Sequence, residues 1–232
     1  AIICIFMMYA GNILGTIITA LLQLLPGISA GNPILSYATD NALLPKILFM
    51  VILAPVIEEY IFRKQLIDRM HVYGEKLAVI TSALMFGLFH GNLSQLFYAF
   101  ALGLVFGYVY LKTGKLRYSI GLHMLINFIG SVAGPFFLEK IAVLGTMETL
   151  DMVALESIMP WLIGFGAYVL VLIGLAITGL VLLCINKRKV SFAPAELELP
   201  KDDRFMTVYG NVGMILLVVG CTALIVASLI PL

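Results

Sequence analysis

The stretch Ile47-Leu48-Phe49-Met50-Val51-Ile52-Leu53-Ala54-Pro55-Val56-Ile57-Glu58-Glu59-Tyr60-Ile61-Phe62-Arg63 decides how this chain is read. Eleven apolar residues run without a break into two adjacent glutamates. The helical repeat then puts Arg63, four residues on, over Glu59 in the favourable acid-before-base order. A charge at mid-bilayer costs roughly 2.5–3.5 kcal/mol on insertion scales, so an ionisable residue inside a membrane segment marks a functional site by default. Two vicinal carboxylates with one arginine are poor anchors. They read as a site.

Working outward, the whole chain has the composition of a membrane protein. It is 62% hydrophobic and 12% charged, with a mean hydropathy of +1.08; soluble domains carry about 25% charged residues. The formal charge of +1 offers nothing to a nucleic acid. Cys4, Cys184 and Cys221 are odd in number and far apart, with neither metal spacing nor a disulfide framework, and read as small hydrophobes. The chain begins in an apolar run without methionine or a basic leader, so no signal peptide is read and residues are expected to precede Ala1.

With about 20 apolar residues needed per span, the sequence predicts an all-α, multi-pass helical bundle of about seven transmembrane segments. They fall near 2–25, 43–62, 77–91, 94–111, 117–138, 160–185 and 208–231. The third is short, and only Gly91-Asn92-Leu93 separates it from the fourth, which predicts a tight hairpin. The pairs Gly11/Gly15, Gly103/Gly107 and Gly130/Gly134 are expected to let helices approach closely. The stretches 63–76, 112–117 and 186–207 hold 12 of the 14 lysines and arginines, and a loop over 139–158 is acidic. The positive-inside rule puts the basic loops in the cytoplasm. Three units are expected: 1–42 with one helix and an outer loop, a four-helix catalytic core over 43–138, and accessory helices over 139–232 with a cytoplasmic linker at 186–207.

Further polar residues belong with the glutamates. His90 ends the third segment and His123 lies in the fifth, while His71 sits in a basic loop. Phe86 precedes His90 by four residues and Asn127 follows His123 by four, so each pair shares a helix face. Three segments thus offer polar faces that lipid would penalise, and these should converge. A buried polar network that fixes helix register explains Arg63 and Asn127, but two glutamates and two histidines less well. Hydrolysis suits the set better. Arg63 is expected to keep Glu59 ionised and oriented, leaving Glu58 as general base and later acid. His90 would share the attacking water, and His123 and Asn127 would donate to an oxyanion. A metal variant uses Glu58, His90 and His123 as three zinc ligands with water as the fourth; the metal-free scheme is preferred, because no further carboxylate or histidine supplies an outer shell.

Glu58-Glu59-x-x-x-Arg63, Phe86-x-x-x-His90 and His123-x-x-x-Asn127, in that order, resemble the three motifs of the CPBP (Abi) family of type II CAAX prenyl endopeptidases and bacteriocin-processing or immunity proteins. The resemblance covers residues 43–138. It implies an intramembrane endopeptidase in which Glu58 and His90 activate water and His123 and Asn127 form the oxyanion site. Family members have been described both as metalloproteases and as metal-independent glutamate proteases. The implied partners are membrane lipid and a membrane-associated peptide or protein substrate.

Two other classes stay open at this point. A non-catalytic membrane adaptor or immunity protein would keep the polar faces for structure. A proton-coupled transporter would use Glu58 and Glu59 as its relay, but no inverted pair of broken helices accompanies them. Gly27-Ile28-Ser29-Ala30-Gly31 fits Gly-x-Ser-x-Gly, yet a nucleophile elbow needs a preceding strand, and here a membrane helix and Pro26 come first.

Overall fold

The computed structural model describes residues 1–29, 43–142, 152–197 and 200–230, and among them it is helical with no strand. Helix α1 is Ile2–Leu22. Helix α2 runs over 43–70, alternating α-helical turns with two π-helical stretches, Lys46–Leu53 and Tyr60–Ile67. Then come α3 (Glu75–Phe89), α4 (Leu93–Thr113) and α5 (Leu116–Ala142, with a π turn at Ile129–Ala133). Helices α6 (Met152–Asn186), α7 (Lys201–Tyr209) and α8 (Val212–Ala227) complete the chain.

The multi-pass helical membrane architecture is the one expected from composition. Helices α1, α4, α5 and α6 are each long and apolar enough to cross a bilayer. Large apolar side chains face outward along them, Leu170 at 70% exposure among them, as lipid contact requires. Helix α3 has only 15 residues, about 22 Å at 1.5 Å per residue, shorter than a bilayer core of ~30 Å. The predicted hairpin follows at once. Gly91 takes φ +65°, and Asn92 caps α4 by accepting from the Gln95 N–H at 2.9 Å while its amide donates to the His90 carbonyl at 2.8 Å.

Helix α4 is the central post, packed between α1 and α3, with α6 against the outer side of α1 and α2 against α3 and α5. Missing side chains make this closeness feasible. A Cβ on Gly11 would lie 2.3 Å from the Tyr98 Cα, and one on Gly103 would lie 2.9 Å from the Ala83 Cα. Gly130 does not act this way, since a Cβ there would meet nothing within 4 Å. Cys4 and Cys221 are buried as small hydrophobes, whereas Cys184 is exposed.

The boundaries need three corrections. The acidic stretch read as a loop over 139–158 is helical at both ends: α5 continues to Ala142 and α6 begins at Met152, passing through Pro160, where a segment start was expected. Residues 143–151 lie outside the described residues. The linker is also structured, because Asp202 and Asp203 sit in the first turn of α7, where the helix dipole favours acids. Residues before α7 are fastened to the base of α3: the Ala193 N–H donates to Glu75 at 2.6 Å and the Leu197 N–H to the Val72 carbonyl at 2.9 Å.

Candidate active site

Helix α2 delivers its acids through an irregular backbone, and Pro55 accounts for part of it. In the π stretch the Ala54 N–H reaches back five residues to the Phe49 carbonyl. In that register the donor for the next carbonyl, Met50, would be residue 55, and proline has no N–H. The Asn127 amide fills the gap, donating to the Met50 carbonyl at 2.8 Å. An unsatisfied backbone group in apolar surroundings costs several kcal/mol, so this bond ties α5 to α2 where α2 would otherwise be weak.

One turn on, Glu59 and Arg63 are both fully buried. Arg63 grips both carboxylate oxygens, with Nε to Oε2 at 3.0 Å and Nη2 to Oε1 at 3.2 Å. Its Nη1 donates to the Ser82 hydroxyl at 2.9 Å, and Ser82 passes its own proton to the Phe62 carbonyl at 2.7 Å. The guanidinium lies 4.8 Å from the Phe86 ring centre, a cation–π contact that adds to its enclosure. Each of the three guanidinium nitrogens thus donates to a partner inside the bundle.

Helix α5 brings His123 against both acids. Nδ1 lies 3.1 Å from Glu59 Oε1 and Nε2 lies 3.6 Å from Glu58 Oε2. The imidazole is stacked on Phe106 of α4 at 5.3 Å, and Ser119, one turn earlier, is fully buried on the same side. Glu58 is the less enclosed acid, with its side chain 19% exposed. His90 stands at the end of α3, its Nδ1 against the Phe86 carbonyl at 2.8 Å. If Nδ1 carries the proton, as that acceptor demands, Nε2 is left with a free lone pair. The His90 and His123 rings both stand perpendicular to Phe86, at 5.0 and 5.5 Å.

The predicted residues therefore fall into three groups. Glu59, Arg63 and His123 form one bonded cluster, which Glu58 approaches at 3.6 Å from His123 Nε2; His90 adjoins it across Phe86; Asn127 sits one turn beyond His123 and spends one amide proton on Met50. His71 is exposed on the turn after α2, with Nδ1 at 2.9 Å from the Asp68 carbonyl. The Gly27–Gly31 match lies partly outside the described residues, and Gly27 occupies a turn with φ +82°. Sequence reasoning missed Ser82, Phe106 and Ser119. Ser119 had a usable signal, because it precedes His123 by the same four-residue step that links His123 to Asn127. Ser82 and Phe106 had none beyond their segments.

Among the described residues, no group of three His, Cys, Asp or Glu side chains, Glu58, His90 and His123 included, is placed to hold a metal ion.

Known proteins match the part of the chain that holds the cluster. A family model described as type II CAAX prenyl endopeptidase Rce1-like matches residues 40–129. The membrane-embedded CAAX protease MroQ of Staphylococcus aureus (strain USA300) is 32% identical over 88 residues, 35% of this chain and 36% of that protein. The chain thus aligns with about a third of the curated relative's length. No solved structure matches significantly. The matched residues 40–129 carry Glu58, Glu59, Arg63, His90, His123 and Asn127, so the whole cluster lies inside the stretch that is similar to the Rce1-like type II CAAX prenyl endopeptidases.

Proposed function

We propose that the protein is an intramembrane endopeptidase that hydrolyses a peptide bond of a membrane-associated protein or peptide, with water activated by Glu58 and His90. One observation carries this reading: His123 touches both glutamates, while Arg63 grips only Glu59. Two neighbouring carboxylates are thereby given different work. Glu59 is held as a fixed anion that orients Arg63 and His123. Glu58, without such a clamp, takes a proton from water, helped by the free Nε2 of His90.

The resulting hydroxide adds to the scissile carbonyl. His123, carrying both ring protons from the outset and keeping them throughout, gives Nδ1–H to Glu59 and offers Nε2–H beside Glu58 to the developing oxyanion. The second amide proton of Asn127 adds to that site. Glu58 then passes its proton to the departing amine, and the two peptide fragments leave. The scheme uses no cofactor. Burial of the cluster among Phe62, Phe86 and Phe106 keeps these polar interactions strong, since a low local dielectric raises their energy. The basic ends face the cytoplasm of a bacterial plasma membrane in this reading, by the positive-inside rule and by analogy with the staphylococcal relative. That relative is named as a CAAX protease, so prenylated carboxy-terminal peptides head the substrate classes to try.

The test needs no known substrate. Newly formed peptide termini in membranes of cells making wild-type, Glu58→Gln or His90→Ala protein are compared by quantitative mass spectrometry. Loss of general acid–base catalysis should lower cleavage by roughly 10²–10⁴-fold, while thermal unfolding in detergent stays unchanged for Glu58→Gln. A normally folded Glu58→Gln protein that leaves the pattern of termini intact would sink the proposal in favour of an adaptor.

A further inference from the structure

Away from the cluster, a cleft of about 550 Å³ lies where the start of α1, the start of α3, the end of α4 and the end of α6 meet. Its walls are apolar, with Met7, Ile80, Leu104 and Leu183 among them, and two lysines, Lys76 and Lys189, line it as well. All four helix ends lie at the pole of the molecule that carries the basic stretches, the end that the positive-inside rule sets at a membrane surface.

The lysines have no local acid to answer them. Glu75, the nearest carboxylate in sequence, is taken up by Lys112 at 2.6 Å and by the Ala193 N–H. Neither Lys76 nor Lys189 enters an ion pair among the described residues. A second cleft, of about 640 Å³ between α3 and the α7–α8 pair, serves as an internal contrast. It is walled by residues such as Leu88, Met214 and Val218 and has no charged side chain in its lining. Apolar walls alone are thus what the second cleft has. Two unanswered cations beside such walls are particular to the first.

We infer that this cleft is a binding site for an anionic phospholipid, with one acyl chain along the Met7–Ile80–Leu183 wall and the phosphate held by Lys76 and Lys189. Basic pockets between membrane helices bind anionic headgroups by this combination of charge and depth, and the volume lies within the usual range for ligand sites. Neither lysine belongs to the catalytic cluster, so the inference does not depend on the peptidase reading.

The experiment uses the full chain in dodecyl maltoside, with thermal unfolding followed as phosphatidylglycerol, phosphatidylcholine or glycerol phosphate is added. Phosphatidylglycerol should raise Tm by about 2–4 °C more than phosphatidylcholine does, the size of shift that a modest ligand gives a chain of this length. Chain-free glycerol phosphate should give no shift. K76Q/K189Q should erase the preference between the two lipids and leave the phosphatidylcholine response alone. Equal shifts from both lipids, or an undiminished preference in K76Q/K189Q, would overturn the site. So would stabilisation by a farnesylated cysteine peptide that needs the lysines, without any from phosphatidylglycerol; the cleft would then belong to a substrate.

Discussion

Helix α2 carries two i, i+4 ion pairs barely one turn apart, and they behave as different objects. Glu59–Arg63 has both side chains at 0% exposure and joins α2 to α3 and α5 through Ser82 and His123. Lys64–Asp68 has side chains at 53% and 39% exposure and is tied to α4 through Tyr110, whose hydroxyl donates to Asp68 at 2.7 Å. The spacing in sequence is the same. Water decides the rest: a buried cation stripped of its partner has nothing to replace it, whereas an exposed one is resolvated at once.

The contrast breaks most visibly at Arg63. Arg63→Ala should strand Glu59 in the bundle and cost about 3–5 kcal/mol, seen as a large fall in the unfolding midpoint in detergent and poor recovery from membranes. Arg63→Lys should recover little, because a point charge cannot reproduce the two-oxygen grip and the Ser82 contact together. A midpoint unchanged by Arg63→Ala would show that the pair is not the keystone described here.

Asn127 gives the next effect down. Asn127→Ala leaves the Met50 carbonyl without a donor and should cost about 1–3 kcal/mol. A Pro55→Ala change restores an N–H at residue 55, so the combined Pro55→Ala/Asn127→Ala protein should regain part of that loss. Additive losses in the double variant would rule out the link between the two residues.

The exposed pair sets the lower end. Burial acts to raise the Asp68 carboxyl, but hydrogen bonds from Lys64 and Tyr110 outweigh it and hold the group below the usual carboxylate range. A depressed native value means the unfolded chain binds the proton more readily. Asp68 therefore stabilises the fold above about pH 4 and stops doing so as pH falls through its native value. Asp68→Asn should flatten the acid side of the stability–pH curve slightly and leave neutral pH nearly untouched. A large loss at pH 7 would mean that this pair resembles its buried neighbour after all.

The cluster was legible because ionisable residues are rare in apolar helices, and each one present asks for a partner. Glu58, Glu59, Arg63 and His123 could be gathered on that ground alone, and His90 could be set beside them through Phe86. The role of Asn127 was legible only in part. Its place on the His123 face follows from a four-residue step, but its partner is a backbone carbonyl orphaned by Pro55, and no side-chain pattern reports that. Ser82 stayed hidden because a lone serine in a helix is unremarkable until an arginine points at it. The edges of α5, α6 and α7 were missed for a related reason. Charged residues at 139–158 and 201–204 resemble loop composition, yet Lys140 in the last turn of α5 and Asp202 and Asp203 in the first turn of α7 suit helix ends.

Gly11 has a consequence for how the matched stretch should be handled. It belongs to α1, outside residues 40–129, yet the absence of a side chain there is what seats α1 against the Tyr98 backbone. A chimera that carried only the matched residues into another scaffold would arrive with that seam open to lipid. The minimal transplantable unit therefore includes its first helix, however little the motifs have to say about it.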